Sequence, residues 1–242
     1  MCIRDRYSQI QKQLGINYGV NINRINSPVN DKEIFACNVP GIRTDLFFML
    51  NDQFHVPKQT KSLPDGVLMC SLSEACQLYP ELVNRYLGQK TVKKTDGFVA
   101  FNETFSQDGF FLYVPKNRQC ENPIQLINIL RSKVDLLTFS RNLIILEEGA
   151  QAKLLVCDHA TSDVNFFSHQ LTEIFIAENA NFDYYSLEST HLKTNSLKQI
   201  FIQQNANSKA VVNTIGLNNG CTRNHIEIDM SLIHISEPKR PY

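Results

Sequence analysis

Between residues 143 and 215, one alternation of apolar and polar positions returns three times. Leu143–Ala150, Glu173–Ala180 and Gln199–Ala206 align without a gap. Four and six positions before each closing alanine stand Leu146 and Ile144, Ile176 and Ile174, Ile202 and Ile200. Immediately before it stand Gly149, Asn179 and Asn205. Glycine and asparagine enter left-handed backbone space most cheaply, so each unit predicts a tight corner there. A second extended run follows every corner: Leu154–Cys157, Tyr184–Leu187 and Ala210–Asn213. The unit is strand, corner, strand, and a unit recurring every roughly 20–50 residues signals stacked rungs.

A further copy lies upstream, with Leu112 and Val114 at the inward positions and Asn117 at the corner. Pro115 cannot donate to a ladder, which places it at the end of its strand. The position between each inward pair is apolar as well (Tyr113, Ile145, Phe175, Phe201). Strands covered on both faces are typical of parallel sheets. The pattern therefore predicts a mainly β fold, a parallel β-helix. A β-sandwich with coincidentally similar strands is the competing architecture.

Outside the repeats the elements are shorter. Residues 7–30 are rich in Asn and Gln and carry no assignable pattern. Glu33–Gly41 reads as a strand into a turn, and Asp45–Leu50 as another turned by Asn51-Asp52. Pro64-Asp65-Gly66 is a turn feeding a strand toward Cys70. Ser71–Leu87 predicts a helix: Ser71 and Glu74 form a capping box, and Gly88 stops it. Leu72, Ala75, Cys76, Tyr79, Leu82, Val83, Tyr86 and Leu87 share one face, expected to pack over the first rungs with Cys76 as a small buried hydrophobe. Pro80 inside this run predicts a kink or two short helices. Lys90–Asp96 reads as a charged linker, and from Gly97 the chain turns to strand chemistry, ending in a further rung over Cys221–Asp229.

Composition narrows the class. The 242 residues balance 24 basic against 24 acidic side chains, which speaks against a nucleic-acid or membrane-surface partner. No apolar run approaches the roughly 18 residues that span a bilayer. The seven cysteines (Cys2, Cys37, Cys70, Cys76, Cys120, Cys157, Cys221) are scattered and form no CxxC pair, a usage that suits a reducing cytoplasm. Met1–Arg6 and Ser231–Tyr242 continue neither neighbouring pattern and resemble translated sequencing-adapter read-through, so the chain is expected to be an interior fragment. Removing their four basic and two acidic residues from 24 and 24 leaves 20 and 22, a balance of −2.

Two clusters invite a chemical reading. Cys157-Asp158-His159 combines thiol, carboxylate and imidazole, all metal ligands or base partners. On an extended strand, however, residues 157 and 159 share a face that 158 leaves, so a metal would need His169, His191 or His225 from other rungs. The simpler expectation is a cysteine at the end of a rung with a solvated Asp158 and His159. Glu147 and Glu148 stacked near Glu178 imitate the carboxylate pair of a glycosidase, but solvated corners contain such residues too, and Gln203 and Gln204 break the series. No nucleophile elbow, P-loop or Rossmann glycine pattern is present. No catalytic, cofactor-binding or metal-ligating residue is therefore assigned.

Several runs together resemble the SufB/SufD family of iron–sulfur cluster assembly proteins. They are Gly97–Gly109, Tyr113–Asn117, Pro123–Leu126, Ala150–Lys153, Val156–His159 and Cys221–Asn224. In the leading segment, Asn38-Val39-Pro40, Leu63–Val67 and Pro80–Val83 resemble the SufD branch more than the SufB branch. The resemblance runs over roughly residues 30–229. It implies a right-handed parallel β-helix and a non-catalytic scaffold subunit acting with SufB and the SufC ATPase in iron supply or cluster assembly. The Fe–S cluster and ATP at SufC then belong to the complex, and no cofactor is expected on this chain. The organisation that follows is an N-terminal α+β region over 7–95 and a β-helix core over 96–230, with 1–6 and 231–242 set aside. The family's late Cys-Ser-His segment and helical SufC-docking region have no counterpart in the sequence, so no family functional residue carries over and the chain as written is expected not to recruit SufC. A β-helix carbohydrate-active enzyme and a non-functional fragment are the alternatives.

Overall fold

The computed structural model describes residues 14–15, 17–20, 43–55, 63–92 and 96–231. The expected strand at Glu33–Gly41 and the segments Met1–Arg6 and 232–242 lie outside these residues. The described chain forms a parallel β-solenoid of about four turns. One sheet stacks β5 (Phe110–Val114), β7 (Leu136–Leu146), β9 (Phe166–Ile176), β11 (Thr194–Gln204) and β13 (Cys221–Met230) in parallel. The facing sheet stacks β2 (Asp45–Leu50), β6 (Ile124–Leu130), β8 (Gln151–Ala160), β10 (Asn181–Ser189) and β12 (Lys209–Asn218), also in parallel. Two antiparallel strands close the first edges: β3 (Gln53–His55) against β2 and β4 (Leu68–Ser71) against β5. A short β1 (Gly19–Val20) lies parallel to the start of β7.

The corners follow the residue types that tolerate a positive φ. Asn117 (55°), Gly149 (68°), Asn179 (60°) and Asn207 (54°) turn successive rungs. The corner amides link them, Asn117 N–H to the Glu148 carbonyl (2.8 Å), Gly149 N–H to that of Glu178 (2.9 Å) and Asn179 N–H to that of Ala206 (3.1 Å). The last corner is therefore Asn207, not Asn205. In the pairing of β9 with β11, Ile174 faces Ile202 and Ile176 faces Gln204, two residues away from the gapless alignment of the sequence. Side chains on a strand repeat every two residues, so a slip of two keeps every apolar residue on its face and the pattern cannot see it. Strand β12 shares the shift, with Val212 rather than Ala210 beside Tyr184, while β5, β7 and β9 have the expected register, with Leu112, Ile144 and Ile174 in one column and Val114, Leu146 and Ile176 in the next. Pro115 falls just past the end of β5.

Helices cover the outer face of the β5–β13 sheet. Pro80 divides the predicted helix into α1 (Leu72–Leu78) and α2 (Pro80–Tyr86). Ser71 Oγ accepts from Glu74 N–H (3.3 Å), but the second orphan amide, Ser73 N–H, donates to Asp108 Oδ1 (3.1 Å), not to a local cap. Leu72, Ala75 and Val83 pack on Phe111, Leu143, Ile145 and Phe175, as expected for a helix laid over the first rungs. Tyr86 stands 4.9 Å from Phe175 between ring centroids. Within α1 the buried stripe is only Leu72 and Ala75, so Cys76 is exposed rather than buried, and Tyr79 at the break is exposed as well. A third helix, α3 (Gly97–Phe105), stands where strand chemistry was expected. Its Phe- and Val-rich sequence is strand-like, yet Asp96 caps it by accepting from Phe98 N–H (2.8 Å), and Val99 packs on Leu171 and Phe201. Tertiary packing overrides propensity here.

The corner at Gly149 has no room for a side chain: a Cβ there would lie 2.3 Å from Asn117 Oδ1, at a φ of 68°. Gly149→Ala is expected to cost about 1–2 kcal/mol from the backbone alone, read as a lowered Tm in thermal denaturation. An unchanged Tm would mean that the corner is not strained.

Candidate functional site

Between the two sheets the inward side chains form columns, and the interior has two halves. Toward the corners at 117, 149, 179 and 207 it is apolar, built from Leu126, Ile144, Leu146, Leu154, Val156, Ile174, Ile176, Ile200 and Ile202. Toward the opposite ends of the strands it is polar. There the column Asn128, Asp158, Glu188 on one sheet looks across at Ser140, Gln170, Lys198 on the other. All six are buried.

The polar half closes around one cation. Lys198 Nζ donates to Asp158 Oδ2 and to Ser186 Oγ (2.8 Å), and lies 3.7 Å from Glu188 Oε2. Asp158 Oδ1 accepts from Asn128 Nδ2 (2.8 Å) and Gln170 Nε2 (2.9 Å). Burial pushes the Asp158 carboxyl up, but the Lys198 ammonium and these hydrogen bonds outweigh it and leave its pKa below the ordinary value. Burial likewise pushes Lys198 down, and the facing carboxylates more than reverse this. Glu188, the second acid, is held above its ordinary value by burial, which Lys198 offsets only in part. Burial also raises the Tyr184 hydroxyl to about 12. The cluster therefore holds a firm Asp158–Lys198 ion pair beside a second carboxyl that burial raises above its ordinary value.

A second buried network ties the segment after α2 to the outer face of the other sheet. Glu173, fully buried, accepts from Gly88 N–H (2.8 Å) and Lys90 N–H (2.8 Å) and pairs with Arg141 Nη2 at 2.7 Å. Arg141 Nη2 also donates to Thr91 Oγ1 (2.9 Å), whose hydroxyl donates to Glu103 Oε1 on α3 (2.7 Å). Farther along the stack, Lys90 Nζ reaches Asp229 on β13. This strap crosses several rungs, and the carboxylate of Glu173 is filled by donors from the chain itself. Beside it, His169 lies buried under α3, its Nε2 3.0 Å from Gln199 Oε1 and its ring at the edges of Phe98 and Phe139. Burial pushes its pKa down to about 4, against the weaker pull of the Gln199 hydrogen bond.

The structure separates the residues that the sequence brought to attention. Cys157 is buried on the outer face of its sheet among Phe48, Leu50, Ile127 and Ile129, and the residue between it and His159 points inward, as strand alternation requires. Asp158 is not solvated; it is 3% exposed and anchors the interior ion pair. His169 is under α3, His191 holds the Ser162 carbonyl at a turn (2.7 Å between Nε2 and O), and His225 rests against Phe201 on the last strand. Among the described residues no three His, Cys, Asp or Glu side chains come together as a metal site. Glu148 and Glu178 are exposed at stacked corners, with Glu148 paired to Lys116 at 2.7 Å. Lys198, Glu188, Gln170 and Asn128 were missed. The available signal was parity: each is a polar residue at an inward position of an otherwise apolar strand.

Comparison with known proteins agrees with this architecture. Residues 4–126 match the family model of the SufBD protein N-terminal region, and residues 129–233 that of the SUF system FeS cluster assembly SufBD core domain. An iron–sulfur cluster assembly SufBD family protein of Synechocystis is 35% identical over 131 residues, 53% of this chain and 27% of the relative. One from Arabidopsis thaliana is 33% identical over 120 residues, 49% of this chain and 26% of the relative. A second from that plant, chloroplastic, is 32% identical over 128 residues, 51% of this chain and 22% of the relative. The chain spans about a quarter of the length of these curated relatives.

Two outcomes follow from the site. Glu173→Ala, which leaves a buried guanidinium and two amides without their acceptor, is expected to cost about 3–5 kcal/mol in chemical denaturation, whereas Glu148→Gln and Glu178→Gln should stay within about 0.5 kcal/mol of the parent. A large loss at either corner residue would restore those acids as candidates. For His169, the folded value of about 4 lies below the ordinary 6.5, so the unfolded chain binds more protons between these limits. Stability should therefore fall as the pH drops from 6.5 toward 4, by up to about 1.4 kcal/mol per pH unit. His169→Gln should lose that part of the slope, and an identical pH profile for the variant would contradict the burial argument.

Proposed function

Because the chain belongs to the SufBD family of iron–sulfur cluster assembly proteins, we propose that it acts as a SufD-type scaffold subunit, together with SufB and the SufC ATPase, in iron supply or cluster assembly. The observation that carries this reading is the match of residues 129–233 to the SufBD core, the stretch that builds most of the solenoid rungs. The assignment to the SufD branch rests on the leading segment, whose Leu63–Val67 and Pro80–Val83 runs form the turn before β4 and the start of α2. In this role the subunit works through its surfaces, and the cluster is cargo rather than a resident cofactor. The closure of the interior charges on one another suits such a role, since it leaves them occupied in holding rungs. The carbohydrate-active alternative finds no support in Glu148 and Glu178, which are exposed at the corners, with Glu148 paired to Lys116.

We place the protein in a reducing compartment such as the cytoplasm, on the strength of its scattered cysteines; among the described residues Cys70, Cys76, Cys120, Cys157 and Cys221 form no disulfide. Among the described residues, no helix is long and apolar enough to cross a membrane.

The test is genetic complementation with the whole gene from which the chain derives. Expressed in cells that lack SufD but retain SufB and SufC, it is expected to restore the activity of cluster-dependent enzymes and to co-purify with both partners. Rescue of cells lacking SufB instead would move the chain to the other branch. Rescue of neither, with the protein present at normal levels, would overturn the scaffold reading.

A further inference from the structure

Strand β11 has two registers open to it, and the interior ion pair chooses between them. The sequence of β11 and its corner is nearly degenerate under a shift of two residues. In the observed register Ile202 faces Ile174, Gln204 faces Ile176, and the chain turns at Asn207. Shifted by two, Ile200 and Ile202 would face Ile174 and Ile176, Gln204 would pass to the corner, and Asn205 would take the left-handed turn. Asparagine tolerates that turn at either position. Within β11 hydrophobic burial favours the alternative, which sets isoleucine beside isoleucine where the observed register has Gln204, with its amide held by the Ser208 carbonyl at 2.7 Å; in β12 the slip would set Ser208 level with Phe182 and Ala210 level with Tyr184. Parity does not distinguish the two, because a slip of two leaves each side chain on its own face.

Charge does distinguish them. In the observed register Lys198 stands beside Gln170, and its ammonium reaches Asp158, Ser186 and Glu188 from across the interior. A slip of two residues would carry Lys198 to the level of Thr172, at the edge of the apolar half. It would leave Asp158 and Glu188 buried together without a cation. On the outer face the observed register also sets Phe201 against Val99 and Leu171 and gives Gln199 its contacts with His169 and Asp96. A slip would bring Phe201 level with Phe175 and leave Gln199, a neutral hydrogen-bonding group, unmatched, which costs less than stranding a buried charge.

We propose that the Lys198–Asp158 pair, with Ser186 and Glu188, is a register lock that holds β11 two residues away from the alignment its apolar pattern prefers. Removing the charges together then frees the strand to slip, and β12 and β13 follow it because they stack on the same rung.

Corner cysteines read the register directly. Glu178 lies level with Ala206 as built, since the corner amide of Asn179 meets the Ala206 carbonyl; in the slipped register it would lie level with Gln204. Oxidation of Glu178→Cys/Ala206→Cys and of Glu178→Cys/Gln204→Cys, with each cross-link identified by mass spectrometry, gives a ratio of the two states. In the otherwise unchanged chain the first pair is expected to dominate by about tenfold or more. In Asp158→Leu/Lys198→Met, which removes both charges at similar volume and is expected to fold, the ratio should move by about tenfold or more toward the second pair. Gln199→Leu should leave it unchanged. If the doubly apolar variant keeps the parent ratio, or if Gln199→Leu moves it instead, the lock is not Lys198. If the doubly apolar variant gives neither cross-link and no cooperative unfolding, the cluster is needed for folding itself and the two-register account is overturned.

Discussion

In-register stacking of parallel strands is the constraint from which the rest of this molecule follows. Each inward side chain lies directly beside its counterpart one rung away, so residue class must be conserved along columns rather than along strands. The column Leu112, Ile144, Ile174 and the column Val114, Leu146, Ile176 are apolar for this reason. The same rule admits a polar column only if its members satisfy one another, because a buried polar group without a partner costs more than a hydrogen bond gains. Asp158 and Glu188 obey it by leaning on Lys198 of the facing column, while Asn128 donates to Asp158 and leaves its own Oδ1 without a partner.

Columns also explain what was legible in the sequence. A repeat of apolar positions with a Gly or Asn corner names the rungs, and Asn117, Gly149 and Asn179 all take the positive φ their identities announce. Strand pairing adds information the pattern lacks. The shift from Asn205 to Asn207 is invisible to a period of two, whereas the contact of Lys198 with Asp158 across the interior depends on it. The helix α3 was hidden for a different reason: Val99, Phe101 and Phe105 are strand formers by propensity, and the helix exists because Asp96 caps it and because Phe101 and Phe105 pack on Phe139 of β7. Cys76 was misplaced because the apolar face drawn over 71–87 is wider than the stripe that α1 buries, Leu72 and Ala75.

The chemistry was less legible than the fold. Cys157-Asp158-His159 drew attention as three adjacent reactive side chains, yet adjacency along a strand means opposite faces. Asp158 belongs with Lys198, forty positions on and on the other sheet, and nothing near it in sequence advertises that partner. Glu173 is comparable. It follows Thr172 in a strand otherwise read as apolar, and its meaning comes from Gly88, Lys90 and Arg141, two of which offer only backbone amides.

The two outer faces of the solenoid have different fates, and the difference bears on how such a subunit can work. On the β5–β13 sheet, α1, α2, α3 and the Glu173-bound strap cover the central rungs, so that face is committed to internal packing. The opposite sheet is buried at Ile127 and Cys157 but opens in the later rungs, where Tyr185 is 37%, Ile215 55% and Leu217 66% exposed. Among the described residues, this second face therefore carries apolar surface left exposed by internal packing. A scaffold role requires such contact surface and does not require a closed cleft.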